Sequence, residues 1–390
     1  MLKTLPTIPA SEYPKRWEMV KELMEREGLD LLVVYSDDRW VFGPAHARWL
    51  ADLAVHFEPV CILFTPKSEP LLLIGPETPG YATIHSQIKT MRILKEFDNP
   101  DQDFPYTKLE FLTDIVSEFV DLESCKKVGI AGRPLISYDL FTEFKRILPV
   151  EWVTMDDQMN RMRGVKSPAE IEVIKYAYEI AQAGLMAGVN AVEPGIPERL
   201  VAAEAEYVMR KMGVECYGID TMVASGKHTS PIFSRTTMEE IPKDGLVMVL
   251  VAPRYEGYHG ALAVPVLLGN PPDEAKRATD AAIRAQMACA TLMRDGQTNV
   301  AEAKARKIME EAGFGEGFLY AGIHSIGVME FEAPIFGPTS KDVMKENMVL
   351  SIDIPVFHYP WGGLRIEDGY IIEKDGAKRL TSFDYNIQKY

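Results

Sequence analysis

Residues 12–27 place apolar side chains at helical spacing among charges, and Gly28 follows as a stop for that helix. The run LLVVY (31–35) has no polar interruption and predicts a buried strand. Further strands are predicted at 60–65 (VCILFT), 70–75 (PLLLIG) and 127–131 (KVGIA), with helical stretches at 107–120 and 137–146. Strands alternating with helices predict a compact α/β domain in this half of the chain.

A charged, Met-rich stretch at 156–163 follows. Ser167, Pro168 and Glu170 then open a long helix. Ser167 is its N-cap, Pro168 takes the first helical position, and Glu170 stands three residues after the cap. That helix is predicted to reach Asn190, and Pro194 and Gly195 break the chain beyond it. A second amphipathic helix fills 197–212. Strand-like runs come at 246–252 (LVMVLVA) and 261–268 (ALAVPVLL), and long helices at 272–294 and 299–312. The remainder reads as strands and turns.

Composition narrows the class. A chain of 390 residues exceeds one ordinary core, so two domains are expected. Its 47% hydrophobic and 25% charged residues are the balance of a soluble globular protein. A net charge of -15 repels phosphate backbones, which argues against nucleic acid as a partner. Cys61, Cys125, Cys216 and Cys289 are scattered and form no CxxC pair, so neither thiolate zinc nor a disulfide framework is expected. A reducing, cytoplasmic setting follows. The N-terminus has no long apolar run and no stretch is long enough to span a bilayer, so neither a signal peptide nor membrane attachment is expected.

Six segments carry a resemblance. They are RGVKSPAEIEVIKYA (163–177), ASG (224–226), GY (257–258), GIHSIGVMEFEAP (322–334), MVLSIDIP (348–355) and GLRIEDGYII (363–372). In this order they resemble the motifs of the creatinase/prolidase family, which includes aminopeptidase P, prolidase, creatinase and ectoine hydrolase. The N-terminal half resembles the family's first domain only through ARWLADL (47–53). The resemblance implies an α+β chain of two domains. Residues 1–155 would form a creatinase-like α/β domain and residues 160–390 a pita-bread domain holding the active site. It also implies a homodimer in which the first domain of one subunit lies near the other's pocket. His56 and Phe57, within LAVHFEP (53–59), would reach that site.

Metal-dependent members of the family hold two divalent ions with two Asp, one His and two Glu. Counted along this chain, the first Asp falls on Leu250 and the second on Ala261, neither of which binds a metal. The His falls on His324, the first Glu on Asp353 and the second on Glu367. The family's two helper His positions are Phe233 and Phe331. Its Asn is replaced by His228, and where creatinase carries a Glu and a catalytic His this chain has Ala263 and Phe233.

What remains is one His and two carboxylates among Phe and aliphatic side chains. Desolvation there raises carboxyl pKa values, so that a proton is shared between Asp353 and Glu367. The catalytic candidates are His324, Glu367, Asp353, His228 and Glu332. The substrate-binding candidates are Phe233, Phe331, Tyr258, His259, Arg365, His56 and Phe57. The expected activity is that of a metal-independent, creatinase-like hydrolase. It would cleave a C–N bond of a small amide, cyclic amidine or guanidino compound with no cofactor. One alternative is an Xaa-Pro peptidase with one Mn or Zn ion on His324, Asp353 and Glu367. The other is a family member that binds a ligand without catalysis.

Overall fold

The computed structural model describes residues 5–98 and 103–389. The chain divides into two compact units, Pro9–Met162 and the chain from Arg163 onward, the latter joined by the segment ending at Ile8.

The first unit is built on a six-stranded mixed sheet of β1 (Leu31–Ser36), β2 (Val60–Phe64), β3 (Leu71–Ile74), β4 (Met91–Ile93), β5 (Lys127–Ala131) and β6 (Glu151–Thr154). Its order is β4-β3-β2-β1-β5-β6. Central β1 runs antiparallel to β2 and parallel to β5. Leu31, Val33, Tyr35, Leu63, Leu73 and Phe144 meet in one core cluster. Helix α1 (Glu12–Glu27) ends as its sequence predicts, with Gly28 left-handed at φ 66 and its N–H turned back to the last helical carbonyls. Helix α2 (Ala45–Ala51) has no counterpart in the predicted pattern. Its residues are almost all buried, so it carries no polar face to reveal a helical period. Helices α3 (Pro79–His85), α4 (Leu112–Phe119), α5 (Tyr138–Ile147) and α6 (Asp156–Met162) complete this unit.

The second unit opens with α7 (Pro168–Ala191) and α8 (Glu198–Lys211). The capping box forms: Ser167 Oγ accepts the Glu170 N–H at 3.3 Å, and Glu170 Oε2 accepts the Ser167 N–H at 2.7 Å. The strands are β7 (Cys216–Ser225), β8 (Gly245–Tyr255), β9 (Tyr258–His259), β10 (Leu262–Leu268), β11 (Ile323–Ser325), β12 (Glu332–Ile335), β13 (Val349–Tyr359), β14 (Gly362–Ile372), β15 (Ala377–Arg379) and β16 (Ile387–Lys389). They make one ten-stranded sheet with the main path β12-β11-β13-β14-β10-β8-β7. Between β10 and β11 the chain adds α9 (Asp273–Ala290) and α10 (Val300–Glu311). Helix α7 packs on β8, and α9 on β13 and β14.

Strand β14 is buried along its whole length and β13 along most of it. Such strands read as unbroken apolar runs rather than alternating ones. Any ionisable residue in them loses water and must find a partner. Ser351, Asp353, Arg365, Glu367 and Asp368 are all in that position.

Candidate functional site

Strand register assembles the site. Residue partners run Met222↔Leu250, Leu250↔Ala263, Ala263↔Glu367 and Glu367↔Asp353 across β7, β8, β10, β14 and β13. Directly opposed residues share a face. One row is therefore hydrocarbon at one end and acidic at the other. Met222, Leu250 and Ala263 close into a small core with Ile219 packed against it. Glu367 and Asp353 continue the row, and His324 joins from β11, where it lies opposite Ser351.

His324, Asp353 and Glu367 each offer a ligand-type atom, and these atoms lie within 4.8 Å of one another. His324 Nδ1 sits 3.0 Å from the Ser325 carbonyl, to which it donates. That leaves Nε2 facing Glu367 Oε1 at 3.7 Å. Ser351 Oγ donates to the same Glu367 oxygen at 2.9 Å. Asp353 Oδ2 accepts the Tyr320 hydroxyl at 2.8 Å. Its Oδ1 has no hydrogen-bond donor among the described residues, and its nearest cation is Arg365 Nε at 3.5 Å. Burial alone would depress the His324 pKa. Glu367 beside it, the charges of Glu330 and Glu367, and the Ser325 carbonyl outweigh burial and lift it to about 9. Burial raises Asp353 against the pull of Arg365. Glu367 goes down despite burial, because His324 and Arg365 stabilise its anion.

Arg365 is buried with its guanidinium carbon 5.5 Å from the Tyr320 ring centre, 5.6 Å from Phe357 and 6.0 Å from Phe233. Phe331 lies over His324 with ring centres 4.5 Å apart. Both Phe side chains keep accessible surface, 69% for Phe233 and 39% for Phe331.

The other candidates lie apart from the converging trio. His228 stands 3.4 Å from Glu198, which Ser225 and Thr237 also hold, and 3.4 Å from Glu239. Glu332 is locked between Lys166 at 2.9 Å and Arg163 at 3.4 Å, which ties the 163–166 segment to β12. Tyr258 donates to Glu170 at 2.8 Å and fastens β9 to α7. His259 is fully buried, with Nδ1 3.0 Å from the Gly327 carbonyl and its ring against Gly218. His56 is exposed beside Asp38 at 3.2 Å and, with Phe57, belongs to the first unit.

Burial, aided by the charge of Arg254, holds His259 down at about 3. The folded state thus binds this proton less readily than the unfolded chain, whose His titrates near 6.5. Its stabilising effect is complete above pH 6.5 and falls away below it, toward pH 3. Urea titrations at the two pH values should show the wild type losing about 2–3 kcal/mol more than His259→Asn between pH ~6.5 and ~4.5. Equal losses in the two proteins would remove this role.

Three residues near the trio were not singled out from the sequence: Tyr320, Tyr178 and Glu330. Tyr320 falls in an irregular segment, where neither helical nor strand spacing marks it. Tyr178 lies on α7, and its phenol lies against Gly369 of β14, where a Cβ would fall 2.1 Å from the ring. Glu330 lies at a position to which the family motif assigns no role. The alternation of acids in MEFE (329–332) was its signal.

Residues 172–374, just over half of the chain, match the model of metallopeptidase family M24. The Xaa-Pro dipeptidase of Pyrococcus furiosus is 27% identical over 367 residues, covering 93% of this chain and 99% of the relative. The Xaa-Pro dipeptidase of Pyrococcus horikoshii is 29% identical over 318 residues, covering 80% and 89%. The crystal structure of the Pyrococcus horikoshii OT3 prolidase superposes with a TM-score of 0.82 at 26% identity, covering 96% and 99%.

These likenesses overturn the expectation of a metal-independent, creatinase-like hydrolase without a cofactor. Loss of the two aspartates empties one end of the row of ligands, but three donors remain together at the other. An imidazole nitrogen and two carboxylates, one with an oxygen that no donor satisfies, are a donor set for a divalent cation. A second ion does not fit, since Leu250 and Ala261 offer only hydrocarbon and both are buried. The two-domain pita-bread architecture stands, and among the described residues no helix is long and apolar enough to cross a membrane. Fold, motif order and the surviving half-site agree, and the chain belongs to metallopeptidase family M24.

Proposed function

We propose that the protein is an Xaa-Pro-type peptidase working with a single divalent ion, Mn or Zn, held by His324, Asp353 and Glu367. The observation that carries this reading is the convergence of those three donors within 4.8 Å in a chain of this family. The relatives named Xaa-Pro dipeptidase support the substrate class.

A bound ion would supply Lewis-acid polarisation of the scissile carbonyl. The chain's own groups prepare the rest. The Ser325 carbonyl fixes the His324 tautomer and turns Nε2 toward the carboxylates. Tyr320 occupies one oxygen of Asp353 and leaves the other for a cation. Arg365, whose charge its anionic neighbours stabilise, offsets part of the negative field without taking a ligand position. Phe233 and Phe331 present apolar rings beside these polar groups, a surface suited to a pyrrolidine ring.

A homodimer in a reducing compartment is part of the same proposal. The four cysteines are free thiols. The exposed Phe57 and Tyr81 edge a depression of about 580 Å³ in the first unit, which a second copy would cover.

The test is activity on Xaa-Pro dipeptides before and after chelation. Stripped protein should be inactive and regain turnover on adding Mn or Zn, saturating near one equivalent. Turnover that survives complete stripping would sink the proposal.

A further inference from the structure

The bend at 326–331 between β11 and β12 is pinned at several points. The Ile326 N–H donates to the Val349 carbonyl at 3.1 Å, and the His259 N–H to the Gly327 carbonyl at 2.9 Å. Glu330 is carried inward on this bend and is only 4% exposed. Its Cβ packs against Gly218 of β7, where any Cβ would stand 2.9 Å away. Gly218 immediately precedes Ile219, which packs on Met222, Leu250 and Ala263. Glu330 therefore enters beside β7, the strand that carries Met222 of the hydrocarbon end of the row.

No hydrogen bond or ion pair reaches its carboxylate among the described residues. The charges that act on it are those of Glu367, His324, Arg365 and Asp353. It stands outside the trio whose donor atoms lie within 4.8 Å. A carboxylate crowded by two others on a nearly buried residue is costly to keep ionised, and a cation supplied from outside relieves that cost.

The charges name that cation. Glu330, Asp353 and Glu367 bring three negative charges and Arg365 one positive. When His324 gives up its ring proton to ligate, the cluster stands two charges negative. One divalent ion brings it to neutrality, and two would leave it positive by as much.

We propose that Glu330 is the charge-balancing carboxylate of a one-ion centre, delivered by the β11–β12 bend in place of the strand aspartates absent at Leu250 and Ala261. This rests on the metallopeptidase reading. Glu330 is a positioning residue, acting on the ion through its field while His324, Asp353 and Glu367 provide the ligands.

Calorimetric titration of Mn²⁺ into chelator-stripped protein tests it, with wild type, Glu330→Gln and Asp353→Asn in parallel and thermal melts of each stripped form. Wild type should take up one equivalent. Glu330→Gln should bind about 10- to 100-fold more weakly. Its stripped form should melt at or above the wild-type temperature, because one of three crowded carboxylates has gone. A melt that falls along with affinity would make Glu330 merely structural and overturn the inference. So would uptake of two ions by the wild type. If Asp353→Asn loses the ion while Glu330→Gln keeps wild-type affinity, the inference fails and the metallopeptidase reading stands. If the wild type takes up none, both fail.

Discussion

Glu367→Gln is expected to fold and to lose about three orders of magnitude in kcat/KM on an Xaa-Pro dipeptide. Glu367 is the junction of the site. It lies opposite Asp353 on one side and Ala263 on the other, accepts the Ser351 hydroxyl at 2.9 Å, and faces His324 Nε2 at 3.7 Å. The amide keeps the volume and can still accept from Ser351, so the strand pairing has no cause to change. It removes the anion that holds His324 in place and one of the two carboxylates offered to an ion. A thousandfold loss corresponds to about 4 kcal/mol of transition-state stabilisation, within the range of removing a charged donor from a dry site. Steady-state kinetics at saturating Mn²⁺, with circular dichroism as the fold control, decides the matter. Activity within about tenfold of wild type would take Glu367 out of the chemistry.

The second large effect concerns stability. Glu332→Ala is expected to cost about 3–5 kcal/mol of unfolding free energy, since it removes the carboxylate that two buried cations share. Lys166 Nζ touches Glu332 Oε1 at 2.9 Å, Ser325 Oγ at 2.9 Å and the Gly164 carbonyl at 3.3 Å, and Arg163 Nε approaches the other Glu332 oxygen at 3.4 Å. All three side chains are buried. Gly327 is forced by the same cluster, because a Cβ there would meet Glu332 and Lys166. The additional change Lys166→Met should recover part of the loss, as coupled partners do in a double-mutant cycle. Urea unfolding measures both. A loss below about 1 kcal/mol, or strict additivity, would show that the cluster holds nothing together. Ser325, one of its members, also accepts from His324, so catalysis should fall with stability in this variant.

Much of the second unit was legible because its six motif segments resemble those of the creatinase/prolidase family in order and spacing. The family resemblance located Asp353 and Glu367, and strand register brings them side by side. The helix opening at Ser167 was equally readable, since its capping box is local. Glu330 was not, because it sits on a bend whose path is set by contacts with β9 and β13 rather than by any period of its own. The chemistry was misjudged for a related reason. Leu250 and Ala261 were rightly seen as non-ligands, but ligands were weighed by number rather than by place. The structure gathers all the surviving donors at one end of the row, where three of them make a usable set. In the first unit, short buried segments such as α2 carry no periodic signal and were missed.

The hydrocarbon end of that row also has an evolutionary consequence. A two-ion site cannot be recovered from this chain by one substitution. An aspartate at 250 alone would sit buried beside Met222 and Ile219 with no second ion to meet it, at a cost of several kcal/mol. An aspartate at 261, which is also buried, loses its water in the same way. Each first step is deleterious and only the pair has value, which is sign epistasis. Met222, Leu250 and Ala263 thus hold the present site against change by single substitutions.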